Sequence, residues 1–408
     1  MNRIELALLT IIIVLCLPIA QISMSFALTT STHTIAAVGS IKNSVEPTRT
    51  RKHVVAYVAT FIDETANFIA SHFDMVDTEF EAASTIGKIK ALNPNIIILG
   101  YKDIMAMHTY YDDWAEVNSH EDWFLHDIHG NRLIKADYGW YAMDVGNPGW
   151  RSHYANYVKN KIDNFPFDGV FADDVWDVFP AESGWNPWTV PIEDVPVEIK
   201  NRWHDDMVGM LKFVKATMGS KLLIVNTSNN GDYVDASDGK MEEEFVHPSW
   251  YALDEFHDEY INWRDKVESL KNISQRGKYY LAHSGTRIPD NPTEVELSKV
   301  HDIMIYCFAS YLLGVNGEKA TVGFNDIYSQ DGAFGYYPVY DVSLGSPIND
   351  YYLLASVYSR DFEKGKVLVN PTTSSYTINL GNEYKTLDDQ TVSSVTLDAH
   401  SGIILLKP

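Results

Sequence analysis

Two adjacent aspartates, Asp173 and Asp174, directly follow an apolar segment of the sequence. Residues 169–172 are Gly, Val, Phe and Ala, a pattern typical of a buried parallel strand. Carboxylates at the C-terminal end of such a strand occupy the position where α/β barrels carry their catalytic groups. The simpler interpretation is a pair that caps the next helix or turn. Features elsewhere in the chain have to separate the two interpretations.

Three consecutive glutamates, Glu242, Glu243 and Glu244, form a second acidic cluster between Met241 and Phe245. A run of this kind is commonly a solvated surface. Strand alternation, however, places Glu243 on the face of Met241 and Phe245, so it points into a barrel if those apolar side chains do. Two carboxylates that converge from different strands are what glycosidic bond cleavage requires. Their environments must also push the two pKa values apart.

The elements that would position these acids are parallel βα units. Between about residues 53 and 345, eight short apolar runs alternate with helical patterns, which predicts a closed (β/α)8 barrel. One predicted helix begins behind Asn147 and Pro148, and another ends at Gly219. The predicted strands are residues 53–62, 73–77, 95–101, 167–173, 221–226, 240–246, 278–283 and 320–324.

A long connection between the third and fourth strands is too aromatic to be a disordered linker. We expect it to form one wall of a substrate cleft, with the connection at 325–340 on the same face. Aromatic rings can stack on sugars, although packing is their usual role. The candidate platforms are Trp114, Trp123, Phe124, Trp140, Tyr141, Trp176 and Trp250.

Further polar residues lie at other predicted strand ends, where they could bind sugar hydroxyls or act as caps. The candidates for substrate binding are Asp63, Tyr101, Lys102, Asn226 and His283, together with Trp176 and Trp250. No His-Glu-x-x-His, nucleophile elbow or phosphate loop occurs in the sequence, so we predict no metal and no cofactor. The acidic turn from Asn229 to Asp238 misses the calcium-loop spacing and is interpreted as a polar turn.

The chain has four predicted segments. Residues 1–27 have the pattern of a secretory signal peptide, although an uncleaved membrane anchor is the alternative, and residues 28–51 form a flexible leader. The barrel spans 52–358 and ends in a helical segment at 350–358. Residues 359–408 are short β-type runs typical of a small antiparallel β-sandwich domain.

Composition limits the partners. The formal charge of −23, from 55 acidic and 32 basic side chains, disfavours nucleic acid and anionic membrane surfaces. Removing the signal also removes Cys16, so Cys307 would be the one remaining cysteine and no internal disulfide could form. The sequence leaves the oligomeric state open.

Residues 167–174, FDGVFADD, together with 123–132, WFLHDIHGNR, and 143–151, MDVGNPGWR, resemble glycosidase families with barrel folds, notably the glycosidase-like family fifteen. The resemblance covers roughly residues 53–345. It implies that Asp173 matches the fourth-strand catalytic aspartate and that Glu243 matches the sixth-strand acid. In such families the first is typically the nucleophile and the second the acid/base.

We therefore predict a secreted or extracellular O-glycosidase that cleaves an oligo- or polysaccharide. Asp173 is predicted to serve as nucleophile or base and Glu243 as general acid, with Asp174 and Glu244 as second choices. The alternative is a non-catalytic carbohydrate-binding or cell-surface protein on a barrel scaffold. It would bind glycans without releasing reducing ends.

Overall fold

The computed structural model describes residues 49–179, 186–256, 262–289, 291–325 and 335–408. The predicted signal peptide and nearly all of the leader lie outside these residues, as does most of the connection expected at 325–340. Within the described ranges, no helix is both long enough and apolar enough to cross a bilayer.

Eight parallel strands form the barrel that the sequence predicts. Their order is β1-β2-β3-β6-β7-β8-β9-β10, and Lys52 bridges to Val322 to bring the first and last strands together. The short strands β4 and β5 pair with each other in the connection that follows β3. The strands are β1 (His53–Ala56), β2 (Met75–Glu79), β3 (Ile97–Asp103), β4 (Ala106–Met107), β5 (Tyr141–Ala142), β6 (Gly169–Asp173), β7 (Leu222–Asn226), β8 (Gly239–Glu242), β9 (Tyr279–Gly285) and β10 (Ala320–Asn325).

Helices surround this sheet. They are α1 (Asp63–His72), α2 (Gly87–Leu92), α3 (Trp114–Val117), α4 (Pro148–Asn164), α5 (Val197–Met218), α6 (Asp232–Asp235), α7 (Trp263–Gln275) and α8 (Glu294–Gly314). The Asn147 side chain accepts hydrogen bonds from the Gly149 and Trp150 amides and so caps α4, as predicted. Helix α5 ends at Gly219, whose φ of 65° is easily adopted only by glycine. Both predicted outer helices are confirmed.

The barrel interior is divided into two layers. Its lower layer is apolar and contains inward side chains of neighbouring strands, among them Met75, Leu99, Phe171, Ile224 and Met241. Because side chains alternate along a strand, the residue two positions further on points inward as well, one layer nearer the C-terminal mouth. At that upper layer polar and acidic side chains replace the apolar ones. The apolar layer therefore forms the floor of a polar site.

The C-terminal part is an antiparallel sheet in the order β11-β12-β13-β16-β14-β15. Only the pair Lys385 and Leu406 joins β14 to β16, and the two halves share an apolar cluster that includes Leu368 and Ile378. The strands are β11 (Tyr352–Leu354), β12 (Val357–Phe362), β13 (Gly365–Asn370), β14 (Tyr376–Lys385), β15 (Thr391–Leu397) and β16 (Ser401–Leu406). This arrangement confirms the predicted antiparallel β domain.

The helix predicted at 350–358 is wrong, because this segment contains β11 and the start of β12. The C-terminal sheet thus begins at Tyr352. Arg360 of β12 is buried against the barrel, where its guanidinium donates to the carbonyls of Leu312, Leu313 and Val315 at the end of α8. These carbonyls have no partner within the helix, so Arg360 both caps α8 and fastens the sheet to it.

Candidate active site

Two carboxylates and one amide meet at the upper layer of the barrel. Asp173 is the last residue of β6, Asn226 is the last residue of β7, and Glu243 follows β8. The Asn226 Nδ2 donates to Asp173 Oδ1 at 2.9 Å and to Glu243 Oε2 at 2.7 Å. Since both oxygens contact the same nitrogen, they lie less than about 6 Å apart, closer than the spacing of inverting glycosidase carboxylates.

Asp173 accepts hydrogen bonds from two further donors. The Tyr101 hydroxyl donates to Oδ2 at 2.7 Å, and the backbone N–H of Asp174 donates to Oδ1 at 2.8 Å. Burial raises the pKa of Asp173 and the neighbouring Asp174 carboxylate adds to the rise, whereas the three donors oppose it. Asp173 is therefore a half-buried carboxylate whose ionised form is held in one orientation.

Glu243 lies in a different environment. Burial raises its pKa to about 7, the charge of Asp173 contributes to the rise, and the Asn226 amide opposes it. A carboxyl group with this pKa keeps its proton at mildly acidic pH and can donate it. The two acids thus differ in the donors around them, and that difference separates a stabilised anion from a proton carrier.

The neighbouring acids point elsewhere. Glu242 lies outside the barrel wall, where it pairs with Lys240 at 2.8 Å and Lys266 at 2.5 Å. Asp174 forms an ion pair with Lys135 at the barrel mouth and has a positive φ of 53°, a conformation that aspartate tolerates better than most residues. Glu244 is half-buried and raises the pKa of Glu243 slightly.

Of the other predicted residues, Tyr101 and Asn226 donate hydrogen bonds within the site. Among the described residues, no hydrogen bond or ion pair joins Asp63, Lys102 or His283 to Asp173 or Glu243. Asp63 is exposed on α1 and pairs with Lys88 at 2.6 Å. Lys102 is buried on the outer face of β3, where its Nζ pairs with Asp113 at 2.8 Å. Since it follows Tyr101, alternation turns it away from the interior. His283 lies two positions beyond Leu281 of the apolar floor, so alternation turns it inward, and its Nδ1 lies 3.0 Å from Nε2 of His53.

The aromatic residues of the long connection mostly pack on each other. Trp123 and Phe124 are buried, and Trp114 stacks on Tyr141 with their rings 5.2 Å apart. Trp140 differs, since it lies at the barrel mouth 5.4 Å from the Lys135 ammonium. The connection therefore has its own small core, and most of the rings predicted as sugar platforms are structural.

The Lys135 ammonium also lies 5.1 Å from the Trp176 ring and 5.4 Å from the Tyr138 ring. These distances are typical of cation–π contacts. Trp250, the other predicted platform, is 40% exposed in the connection after β8. The rings of Tyr138, Trp140 and Trp176 thus lie around Lys135 and its ion pair with Asp174.

Sequence reasoning missed three inward-facing acids. Asp77 and Glu79 lie on β2, and Asp103 ends β3. Asp103 has a structural role, because its Oδ1 accepts from the amides of Met105 and Ala106. The signal for Asp77 was available, since it ends the predicted second strand just as Asp173 ends the fourth. Glu79 lay beyond the predicted end of that strand.

Within the described residues no group of three His, Cys, Asp or Glu side chains is arranged to hold a metal ion. The acidic side chains of the turn from Asn229 to Asp238 have protein partners. Asn229 accepts from the Gly231 amide, Asp235 pairs with Arg276, and Asp238 pairs with Lys215.

The chain belongs to a family described as hypothetical glycosyl hydrolase family 15, whose profile matches residues 90–366. It is a barrel protein of the glycoside hydrolase type. Among solved structures it resembles a noncanonic maltogenic α-amylase, AmyB, from Thermotoga neapolitana, with 13% identity and a TM-score of 0.50 over 87% of this chain and 98% of that one.

A GH31 dextranase from Flavobacterium johnsoniae, solved with glucose, gives a TM-score of 0.52 at 11% identity and covers 88% of this chain and 52% of the dextranase. At these identities the structural likeness defines the fold alone. No curated protein matches the sequence. The family and the shared fold together place the chain among glycoside hydrolase-like (β/α)8 barrels.

Proposed function

We propose that the protein is a retaining O-glycosidase that acts on an oligo- or polysaccharide. The observation that carries the proposal is the single amide of Asn226, which donates to both Asp173 and Glu243 and keeps their oxygens less than about 6 Å apart. Inverting enzymes separate their carboxyl groups by roughly 6.5–9.5 Å to admit a water molecule, whereas retaining enzymes use about 5–5.5 Å. The short separation favours direct attack on the sugar.

In the first step Asp173 is the nucleophile. Its carboxylate attacks the anomeric carbon while Glu243 gives its proton to the leaving glycosidic oxygen, so the C–O bond breaks as a glycosyl ester forms. In the second step Glu243 takes a proton from water, and the resulting hydroxide displaces Asp173. Each step inverts the anomeric carbon, and two inversions restore the original configuration.

The donors around each acid support this order of roles. Three hydrogen bonds hold Asp173 as an oriented anion, which suits a nucleophile and a good leaving group. Glu243, with its pKa raised to about 7 by burial, carries its proton at mildly acidic pH and can donate it when the substrate binds. After proton transfer it is a base of matching strength for the second step.

The first test is whether purified protein releases reducing ends from a panel of polysaccharides. For a substrate that is cleaved, proton NMR during the first minutes should show the product with the anomeric configuration of the substrate. Asp173→Asn and Glu243→Gln should each lower kcat by at least about 10³-fold, as expected when a catalytic group is lost. Two exposed acids provide matched controls, Asp302→Asn and Glu318→Gln.

A second test assigns the nucleophile. With an activated aryl glycoside, azide should restore turnover to Asp173→Ala and give a glycosyl azide of inverted configuration, because the azide replaces the missing carboxylate. Turnover of the Asp173→Asn protein at the wild-type rate, or an inverted first product, would contradict the proposed chemistry. Glycan binding that both amide variants retain, without any release of reducing ends, would instead identify the non-catalytic binding protein.

We also propose that the protein acts outside the cytoplasm. The support is the N-terminal sequence, whose charged start, apolar run and small residues Ser25 and Ala27 are typical of an exported protein. Fractionation of expressing cells, with mass spectrometry of the mature N-terminus, tests this. A protein found in the cytoplasm with its first 27 residues intact would contradict it.

A further inference from the structure

Two acids on β2 have no role in the proposed chemistry. Asp77 is 1% exposed, and neither of its carboxylate oxygens has a side-chain or well-aligned backbone partner, although the adjacent Thr78 amide opposes the rise in its pKa. Glu79 is half-buried, and its Oε2 is also buried without a partner. Since buried carboxylates normally have partners in folded proteins, two unsatisfied ones on a single strand require an explanation.

Both side chains face the catalytic pair. Asp77 lies beside Leu99 of the apolar floor, and Glu79 lies beside Tyr101, whose hydroxyl donates to Asp173. The electrostatic interactions agree with this placement. Burial raises the pKa of Asp77, and among the neighbouring charges Asp173 adds most to the rise. The unsatisfied acids therefore lie on the inner face of β2, between the apolar floor and the barrel mouth, on the same side of the barrel wall as the catalytic groups.

No cation of the described residues compensates for this charge. Among those residues no lysine, arginine or histidine forms an ion pair with Asp77 or Glu79. Lys102 is close enough to lower the pKa of Glu79, but its ammonium lies behind β3 in an ion pair with Asp113. The Lys135 ammonium pairs with Asp174. The described residues thus leave both carboxyl groups without a compensating cation.

We propose that Asp77 and Glu79 form a subsite for a protonated amino group, so that the sugar bound at the catalytic pair is a hexosamine with a free amine. This inference rests on the proposed glycosidase function and names its substrate class. An ammonium group supplies the missing cation and up to three donors, whereas a hydroxyl or an N-acetyl group brings no charge. Glu79 is the more accessible acid and contacts the amine, and Asp77 adds negative charge from below.

Binding can be measured independently of catalysis in the Asp173→Asn background. Isothermal titration calorimetry should compare oligomers of glucosamine and galactosamine with their N-acetylated and neutral hexose counterparts. We expect at least one amine oligomer to bind 10-fold or more tightly than its acetylated and neutral counterparts. Because the unsatisfied acids take up protons in the free protein, amine binding should also release protons, visible as a binding heat that depends on the buffer.

The subsite variants are Glu79→Gln and Asp77→Asn, each close in shape to the original side chain. Either should reduce the preference for amines to less than threefold, while Glu318→Gln should leave it unchanged. Asp77→Asn removes a buried unpaired acid, so it should fold at least as well as the wild type. Thermal unfolding of each variant checks that lost binding does not reflect lost structure.

Equal binding of amine, acetylated and neutral oligomers would overturn the inference, as would a preference that survives both substitutions. Calcium binding that Glu79→Gln abolishes, without any preference for amines, would overturn it too. Cleavage of neutral glycans with retention, but without a preference for amines, would leave the glycosidase proposal intact and reject only the hexosamine subsite. Binding of amine oligomers through Glu79 without cleavage of any glycan would instead reject the glycosidase proposal and support the amine subsite.

Discussion

Glu242 and Glu243 are neighbours in the chain but lie on opposite sides of the barrel wall. Glu242 faces outward, where Lys240 and Lys266 outweigh the effect of burial and lower its pKa. Glu243 faces inward, where burial and Asp173 raise its pKa to about 7. The charge of Glu242 is balanced by two lysines, whereas no cation of the described residues pairs with Glu243, which is available to act on a bound substrate. The contrast separates acids that stabilise the fold from acids that destabilise it for function.

The largest expected difference is in stability. Glu242→Gln leaves the Lys240 ammonium, whose side chain is fully buried, without its carboxylate and should lower the free energy of unfolding by about 3 kcal/mol. Glu243→Gln removes a carboxyl group that repels Asp173, so stability at neutral pH should be unchanged or higher. Urea unfolding of the two variants measures both effects. Equal destabilisation would show that the two faces do not differ as described.

The pH dependence of stability sharpens the same comparison. The pKa of Glu243 is raised to about 7 in the folded protein, so between pH 4.5 and 7 the folded state holds a proton that the unfolded chain has lost. The proton on Glu243 stabilises the folded state fully below pH 4.5, and this contribution is lost as the pH rises through 7. Between these two values the free energy of unfolding falls by up to about 1.4 kcal/mol per pH unit.

Buried histidines act in the opposite sense, since burial lowers the pKa of His283 to about 4 and that of His53 as well. The informative quantity is therefore the difference between wild type and Glu243→Gln, measured by urea unfolding across this range. The wild type should lose stability relative to the variant as the pH rises. A constant difference would mean that Glu243 titrates normally.

Catalysis should follow the same proton. As the pH rises above about 7, Glu243 loses the proton that it donates in the proposed first step, so kcat/KM should fall on the alkaline side. The pH–rate profile of the wild type on a cleaved substrate tests this. An aryl glycoside with a good leaving group needs less proton donation from Glu243. The rate of its first step should therefore fall less as the pH rises above about 7.

The barrel could be predicted from the sequence because hydrophobic periodicity and the residues that begin or end helices are local features. All eight barrel strands overlap their predicted ranges, and the cap at Asn147 and the stop at Gly219 mark helix ends in the structure. The error at 350–358 has a physical cause. Tyr351, Tyr352, Leu353 and Leu354 suit either a helix or a strand, and pairing with β12 decides the outcome.

Site residues were harder to predict, because a residue at a strand end has two possible faces. Tyr101 and Lys102 were both candidates, yet one donates to Asp173 and the other is buried behind the strand. An error of one residue in the predicted register of a strand moves each side chain to the opposite face and so reverses such an assignment. The acids on β2 could not be ranked from sequence, since their distinguishing feature is the absence of a compensating cation in three dimensions.

Tyr101→Phe provides the most delicate test of the inner face. It removes one of the three donors to Asp173 but keeps the ring, which packs in the apolar floor near Phe171. A hydrogen bond to a charged group contributes about 1.5 kcal/mol, so kcat should fall roughly 10-fold while KM changes little. The acidic limb of the pH–rate profile should also move to higher pH, because the hydroxyl opposes the raised pKa of Asp173. A purely structural tyrosine would lower the melting temperature and leave that limb in place, which would remove Tyr101 from the positioning of the nucleophile.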